Sequence, residues 1–238
     1  MNYQFNMINK QVLLGLILFF LTFLEISAQR FSVRKSSESV VLSGKIISSN
    51  LIVFNYKTLS SSKPLQDQHW VAIWQGSQIH YDQPPLRRVN LSNSGTQGNF
   101  VLDSLNLTNL QYILGYGVGP NISNAAATIH FPEGIFAGTS RASSIKIQSF
   151  KNGQLIFLYD TPLGNAPHQN GHWVGLVKGR NPFGAAALLS SAPIMSNIAS
   201  DTVSLQNINL KKKTWYSVFY CTGPDRNETS AIFRFKLK

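Results

Sequence analysis

Two histidines stand in the same phrase of this chain. His69 precedes Trp70-Val71-Ala72-Ile73, and His172 precedes Trp173-Val174-Gly175-Leu176, 103 positions further on. Imidazoles at repeated positions could serve as bases or as metal ligands. His168 lies four residues before His172, but the intervening Gln169-Asn170-Gly171 reads as loop. A helical face is what would aim two imidazoles at one ion, so neither this pair nor Asp67 with His69 makes a metal site. Nucleophilic catalysis fares no better. There is no Gly-x-Ser-x-Gly elbow. Cys221, the one cysteine, has no basic or capping neighbour to stabilise a thiolate. It lies in an apolar run and reads as a small core residue. Glycoside cleavage needs paired carboxylates. The ten Asp and Glu are scattered, with only Asp225 and Glu228 close, in a loop. The expectation is therefore a non-enzyme with no catalytic residue, no metal and no cofactor.

Charge offers a second kind of chemistry. The net charge is +11, and basic residues cluster at Arg87-Arg88 and at Lys211-Lys212-Lys213. Such clusters suit an anionic partner, whether polyanion, lipid headgroup or acidic glycan. A solvated turn is the plainer alternative, and both stay open. Trp74 and Trp215 could stack on sugar rings or pack on sheets. Asn90, Asn106, Asn121 and Asn227 each open an Asn-x-Ser/Thr acceptor sequence, although this composition gives about three such matches by chance.

The N-terminus bears on the compartment. Lys10 is followed by an apolar run at 12–24 and by Ser27-Ala28. The run is short for a bilayer span and has the order of a secretory signal. Residues 1–28 are expected to be a cleaved signal peptide, an uncleaved anchor being the alternative. Cleavage removes Lys10 and Glu25 and leaves the net charge unchanged. The mature protein is expected to be extracellular, with no transmembrane helix and no nucleic-acid partner. One cysteine permits no internal disulfide, so apolar cores must hold the fold.

The elements that position these residues are repeated too. Tyr56 and Thr58 recur as Tyr159 and Thr161; Phe100 and Leu102 align with Val203 and Leu205. Leu105-Asn106-Leu107 aligns with Ile208-Asn209-Leu210. Tyr112, Tyr116 and Gly119-Pro120 recur 104 positions on as Tyr216, Tyr220 and Gly223-Pro224. A one-residue slip between offsets is what an insertion in one loop produces, so this is an internal duplication. Each copy carries short β-branched and aromatic runs separated by turn signals such as Asn152-Gly153, with no convincing helix. The expected organisation is an N-terminal arm at 29–37, a first β-sandwich at 38–134, a linker at 135–142 and a second β-sandwich at 143–238. Trp70 and Trp173 open the third strand of each copy, where a large ring can fill the space between two sheets.

A Trp on the third strand, with Leu107…Tyr112 and Leu210…Tyr216 leading into the sixth, resembles the immunoglobulin or fibronectin type III fold and its tyrosine corner. The phrase His172 to Leu176 is also similar to an Asp-Trp-Ile-Gly-Ile-Tyr phrase. That phrase belongs to the N-terminal sandwich domains of purple acid phosphatases and to SKICH domains. This chain has His69 and His172 where those families carry an acid. The resemblance implies an all-β fold of two tandem Greek-key sandwiches and brings no activity with it. The function expected is non-catalytic binding of an extracellular macromolecule or glycan. A structural or matrix spacer is the alternative, and an uncharacterised hydrolase stands behind both.

Overall fold

The computed structural model describes residues 33–237. The expected signal peptide and the first residues of the expected arm, 29–32, lie outside the described residues. Sixteen strands follow in order. They are β1 (Val33–Ser39), β2 (Val41–Ser48), β3 (Leu51–Lys57), β4 (Trp70–Gln75), β5 (Arg87–Asn90), β6 (Gln97–Leu102), β7 (Tyr112–Gly117), β8 (Ala125–Phe131) and β9 (Thr139–Ala142). The second copy supplies β10 (Ser144–Lys151), β11 (Gln154–Asp160), β12 (Trp173–Lys178), β13 (Leu188–Pro193), β14 (Ser200–Leu205), β15 (Trp215–Cys221) and β16 (Thr229–Leu237). Among the described residues no helix is long and apolar enough to cross a membrane.

Each copy is a Greek-key sandwich. In the first, a sheet ordered β2-β3-β6 faces one ordered β5-β4-β7-β8-β9. In the second, β10-β11-β14 faces β13-β12-β15-β16-β1. Paired strands are antiparallel, and in the first copy the chain crosses between sheets from β3 to β4, from β5 to β6 and from β6 to β7, as in an immunoglobulin-type sandwich. Strand alternation explains the cores. Ile52, Phe54 and Tyr56 point inward from β3, joining Val71 and Ile73 from β4. Leu155, Phe157 and Tyr159 repeat this with Val174 and Leu176. The tyrosine corners are formed: Thr108 N–H donates to the Tyr112 hydroxyl at 2.8 Å, and Lys211 N–H to that of Tyr216 at 2.8 Å.

The tryptophans lie elsewhere than the sequence suggested. Trp70 is fully buried, yet it points away from its own sandwich core into a separate cluster with Ala72, Trp74, Ile79 and Ile113. Adjacent strand residues face opposite sides, so with Val71 inward Trp70 must face outward. Trp173, partly buried, packs on the corresponding cluster of the second copy, formed by Val177, Phe219, Cys221 and Ile232. Leu59 of the first sandwich completes that cluster. The central strands β4 and β12 are thus buried on both faces. A one-sided antiparallel sheet would leave polar residues outward; these strands have none between Trp70 and Trp74.

Each copy's own loops cover much of the second face, Ile79 and Tyr81 in the first and Phe183 in the second, and the other sandwich adds contacts such as Leu59. The segments expected as arm and linker carry β1 and β9, and neither is a free connector. β1 pairs with β16 at the edge of the second sandwich, then the chain passes through buried Val40 into β2 of the first. β9 pairs with β8 at the edge of the first sandwich, then passes through buried Ser143 into β10 of the second. The exchange is reciprocal, since Ser39 opposes Ala231 as Ala142 opposes Ala127. Residues 33–237 accordingly form one compact unit.

Two short 3-10 turns, Ile122–Asn124 and Arg226–Glu228, meet at the junction. Asn124 Nδ2 donates to the Thr222 carbonyl at 3.0 Å, and the Thr222 hydroxyl donates back to the Asn124 carbonyl at 3.3 Å. Gly119 and Gly223 allow this approach, because a Cβ on either would run into the Glu228 side chain. Glu38 ties β1 down. It pairs with Arg234 at 2.7 Å and accepts from Ser60 N–H. Burial alone would raise the Glu38 pKa; these two partners outweigh it and hold it below the usual carboxylate range.

The Trp70 ring lies directly over Gly117, its cross-strand partner, where a Cβ would overlap the indole. Gly117→Ala is expected to cost about 1–3 kcal/mol of unfolding free energy. Adding Trp70→Phe, which removes the overlapped atoms, should give a double variant less destabilised than the sum of the two single changes. Urea titration of the four proteins reads this out. Strict additivity would mean that the ring and the glycine do not meet.

Candidate functional site

The repeated histidines are the natural starting point, and both are fully buried. Each sits just before a β4-type strand and points toward a tyrosine on the neighbouring β7-type strand. His69 Nδ1 lies 2.9 Å from the Tyr116 hydroxyl, and His172 Nδ1 lies 2.7 Å from that of Tyr220. The rings meet edge to face, with centroids 5.6 Å apart in both copies. Tyr56 stacks on Tyr116, and Tyr159 on Tyr220. Thr58 and Thr161 reach the same two hydroxyls. The repeated Tyr, Thr and His of the sequence are therefore one interior polar cluster, built twice.

The second copy of the cluster is a directed chain. His172 Nε2 lies 3.3 Å from the Ser123 carbonyl, which can only accept. Nε2 therefore carries the proton, and Nδ1 accepts from Tyr220. Asn165 Nδ2 donates both to Thr161 Oγ1 at 2.6 Å and to the Ala125 carbonyl at 3.1 Å. Ser123 and Ala125 belong to the first sandwich, so this network crosses between copies. In the first copy His69 Nε2 is buried without a hydrogen-bond partner, a cost of roughly 1–3 kcal/mol.

Burial fixes the protonation of these groups. Desolvation lowers the His69 pKa to about 3. It lowers that of His172 to about 4, against a smaller opposing effect of the Ser123 carbonyl. The same cause raises Tyr116, Tyr220 and Cys221. Cys221 is fully buried and contacts the Thr229 hydroxyl at 3.3 Å. His168 is exposed, with Nδ1 at 3.3 Å from the Ile194 carbonyl, and does not join His172. Among the described residues no three His, Cys, Asp or Glu side chains gather as a metal site.

The basic clusters occupy non-equivalent positions. Arg87 and Arg88 lie on edge strand β5, whereas Lys211 to Lys213 form the turn before β15. Arg87 and the three lysines are exposed. Arg88 is engaged within the fold: its guanidinium covers Trp70 at 5.2 Å and donates to the Pro120 carbonyl at 2.6 Å. Trp74 is buried, and Arg180 covers the Trp215 ring at 4.5 Å. Asn90, Asn106, Asn121 and Asn227 are all exposed. One feature had no sequence signal. An open cavity of about 660 Å³ lies where the first sandwich meets strand β10 and the loop after β11, with His130, Arg141 and Asp160 in its wall.

No family model matches the chain, and no curated protein sequence does. Among solved structures it is similar to a biofilm-associated protein BSP domain at 9% identity, with a TM-score of 0.25. That likeness covers 82% of this chain and 28% of the other, so the chain spans little more than a quarter of it. It is also similar to the FN1–FN3 domains of chicken CNTN1 at 12% identity, with a TM-score of 0.26, covering 84% of this chain and 67% of that one. At these scores neither likeness bears on what this chain does. The immunoglobulin-like architecture stands on the strand order and the tyrosine corners.

The histidines set a pH dependence. Their folded pKa values lie below the unfolded value near 6.5, so the unfolded chain takes up protons first as pH falls. Their stabilising effect is complete above about pH 6.5 and is lost as pH falls toward the folded values near 4 and 3, at about 1.4 kcal/mol per pH unit for each. Replacing both, His69→Gln with His172→Gln, should flatten the slope of unfolding free energy between pH 6.5 and 4.5. An unchanged slope in the double variant would contradict the burial of neutral imidazoles.

Proposed function

We propose that this is a secreted, non-catalytic tandem β-sandwich protein that binds an extracellular macromolecule or glycan through its loops and exposed sheet faces. One observation carries the reading. The repeated His, Tyr and Thr, the groups best suited to chemistry, are all in the interior of the joined sandwiches, where His69, His172 and Cys221 have no solvent contact. Buried neutral imidazoles are poor bases for an outside substrate. Loops carried on a rigid scaffold are the usual location of recognition.

Charge supports an anionic partner. Arg87 and Lys211 to Lys213 project from the surface of a chain with net charge +11. Arg88 contributes by holding the turn at Pro120. The four exposed asparagines suit glycan attachment in a secreted protein.

A glycan array and a pull-down from extracellular material, both with the purified secreted protein, test the reading. Binding is expected to favour acidic ligands and to weaken steeply between 50 and 500 mM salt. Lys211→Glu, Lys212→Glu and Lys213→Glu together should reduce it at least tenfold. An empty array with an empty pull-down would count against binding as the function. Hydrolysis of an arrayed glycan would replace it with catalysis.

A further inference from the structure

The two copies differ where their outer edge strands meet the other sandwich. In the second sandwich, outer strands β1 and β16 are closed over by an ion pair. The Glu38 carboxylate bonds Arg234 at 2.7 Å and accepts from Ser60 N–H, while Arg234 Nε donates to the Arg180 carbonyl at 2.6 Å. In the first sandwich the corresponding strands are β9 and β8. Arg141 stands at the Glu38 position and His130 at the Arg234 position, as the registers Glu38↔Ile232 and Arg141↔Thr128 fix. Leu163 stands at the Ser60 position. An arginine and a histidine thus stand here where the other copy has a glutamate and an arginine, and here the 660 Å³ cavity opens.

The cavity has the features of a small polar ligand site. Buried Ile113 and Thr128 form its floor, and Gln78 and Thr139 stand at its rim. Arg141 is anchored by Nε, which donates to the Thr161 carbonyl at 3.0 Å. Its Nη2 lies 3.6 Å from Asp160 Oδ1, a long contact with both side chains about one-third exposed. Asp160 Oδ2 accepts from the Ser144 hydroxyl at 3.3 Å. His130 Nε2 is 3.4 Å from Gln111 Oε1, also long. Loose polar contacts around an open volume can be exchanged for a ligand at little cost. A planar guanidinium suits a carboxylate, while Asp160, Thr139 and Gln78 suit hydroxyls.

We infer that this cleft binds a uronic-acid residue of an acidic glycan, the sugar carboxylate taking beside Arg141 and His130 the place that the Glu38 carboxylate fills in the other copy. This deepens the binding reading above and rests on it. The sugar ring occupies the open volume with its hydroxyls toward Asp160 and the rim. The neutral sugar of the same size lacks the carboxylate.

The test transplants the closed copy into the open one. Glucuronate and a tetra-uronide are titrated calorimetrically into the full secreted protein, with glucose and a neutral tetrasaccharide as controls. The same titrations are run on the double variant His130→Arg with Arg141→Glu. Uronides should bind the parent at least tenfold more tightly than the neutral sugars. In the double variant the new pair closes the cleft, and uronide affinity should fall at least tenfold with the thermal midpoint within a few degrees. Arg141→Lys, which keeps the charge and loses the fork, should fall between the two if the double variant is poorly folded. Equal affinity for neutral and acidic sugars, no uronide binding by the parent, or undiminished binding by folded variants would each overturn the inference. If the folded double variant still binds an acidic glycan on the array, the cleft is excluded and the general binding function stands.

Discussion

The structure depends on one constraint: strands β4 and β12 must be buried on both faces. Trp70, Ala72 and Trp74 alternate with Val71 and Ile73 without a polar residue among them. A lone sandwich covers one face only. Leaving Trp70 in water would forfeit roughly 5 kcal/mol, for a ring burying about 200 Å² at ~25 cal/mol per Å². Ile79, Tyr81 and Ile122 of the same copy close over that face with the Arg88 guanidinium, and the second sandwich meets this layer where Ile79 N–H donates to the Leu163 carbonyl. Each indole N–H is satisfied within its own copy: Trp70 Nε1 donates to the Asn121 carbonyl and Trp173 Nε1 to the Gly223 carbonyl. The duplication is thus mechanical as well as genealogical, each copy bonding to the junction turn of the other.

Reciprocal contacts place equivalent residues near one another, and several have diverged. Asn124 and Glu228 are equivalents in the two facing turns. Two glutamates there would repel in a desolvated place; an amide beside a carboxylate can bond instead. Burial raises the Glu228 pKa above its ordinary value, with hydrogen bonds from Asp225 N–H and Asn124 opposing it. Trp70 over Gly117 in one copy becomes Trp173 opposite Cys221 in the other, and Ala72 opposite Gly115 becomes Gly175 opposite Phe219. Each large ring meets a small partner, which keeps the close-packed joint free of overlap.

The distribution of polar groups separates interior from surface roles. The His-Tyr-Thr clusters are rigid parts of the scaffold, held at neutral charge by desolvation. The exposed basic residues lie on an edge strand and a turn, where sheet pairing leaves side chains free to meet a partner. Between these extremes is the cleft by Arg141, at the position where the other copy places the Glu38 carboxylate that closes the same joint.

The sequence alone determined the all-β class, the duplication and its register, and the tyrosine corners. Strand period, turn residues and the offset of 103 to 104 are local or repetitive signals, readable without coordinates. It also showed His69 and His172 standing where the resembled families carry an acid. It could not reveal why, because Tyr116 and Ser123 reach His69 and His172 from strands and turns remote in the chain. Nor could it tell which face of β4 Trp70 occupies. Alternation gives two equal choices, and only the loop carrying Ile79 and Tyr81, folded back over the sheet, makes the outer one dry. The strands in the segments expected as arm and linker, the joining of two sandwiches into one body and the cleft at Arg141 were decided by tertiary structure alone. Each arises where residues of the two copies meet, and no local pattern records that meeting.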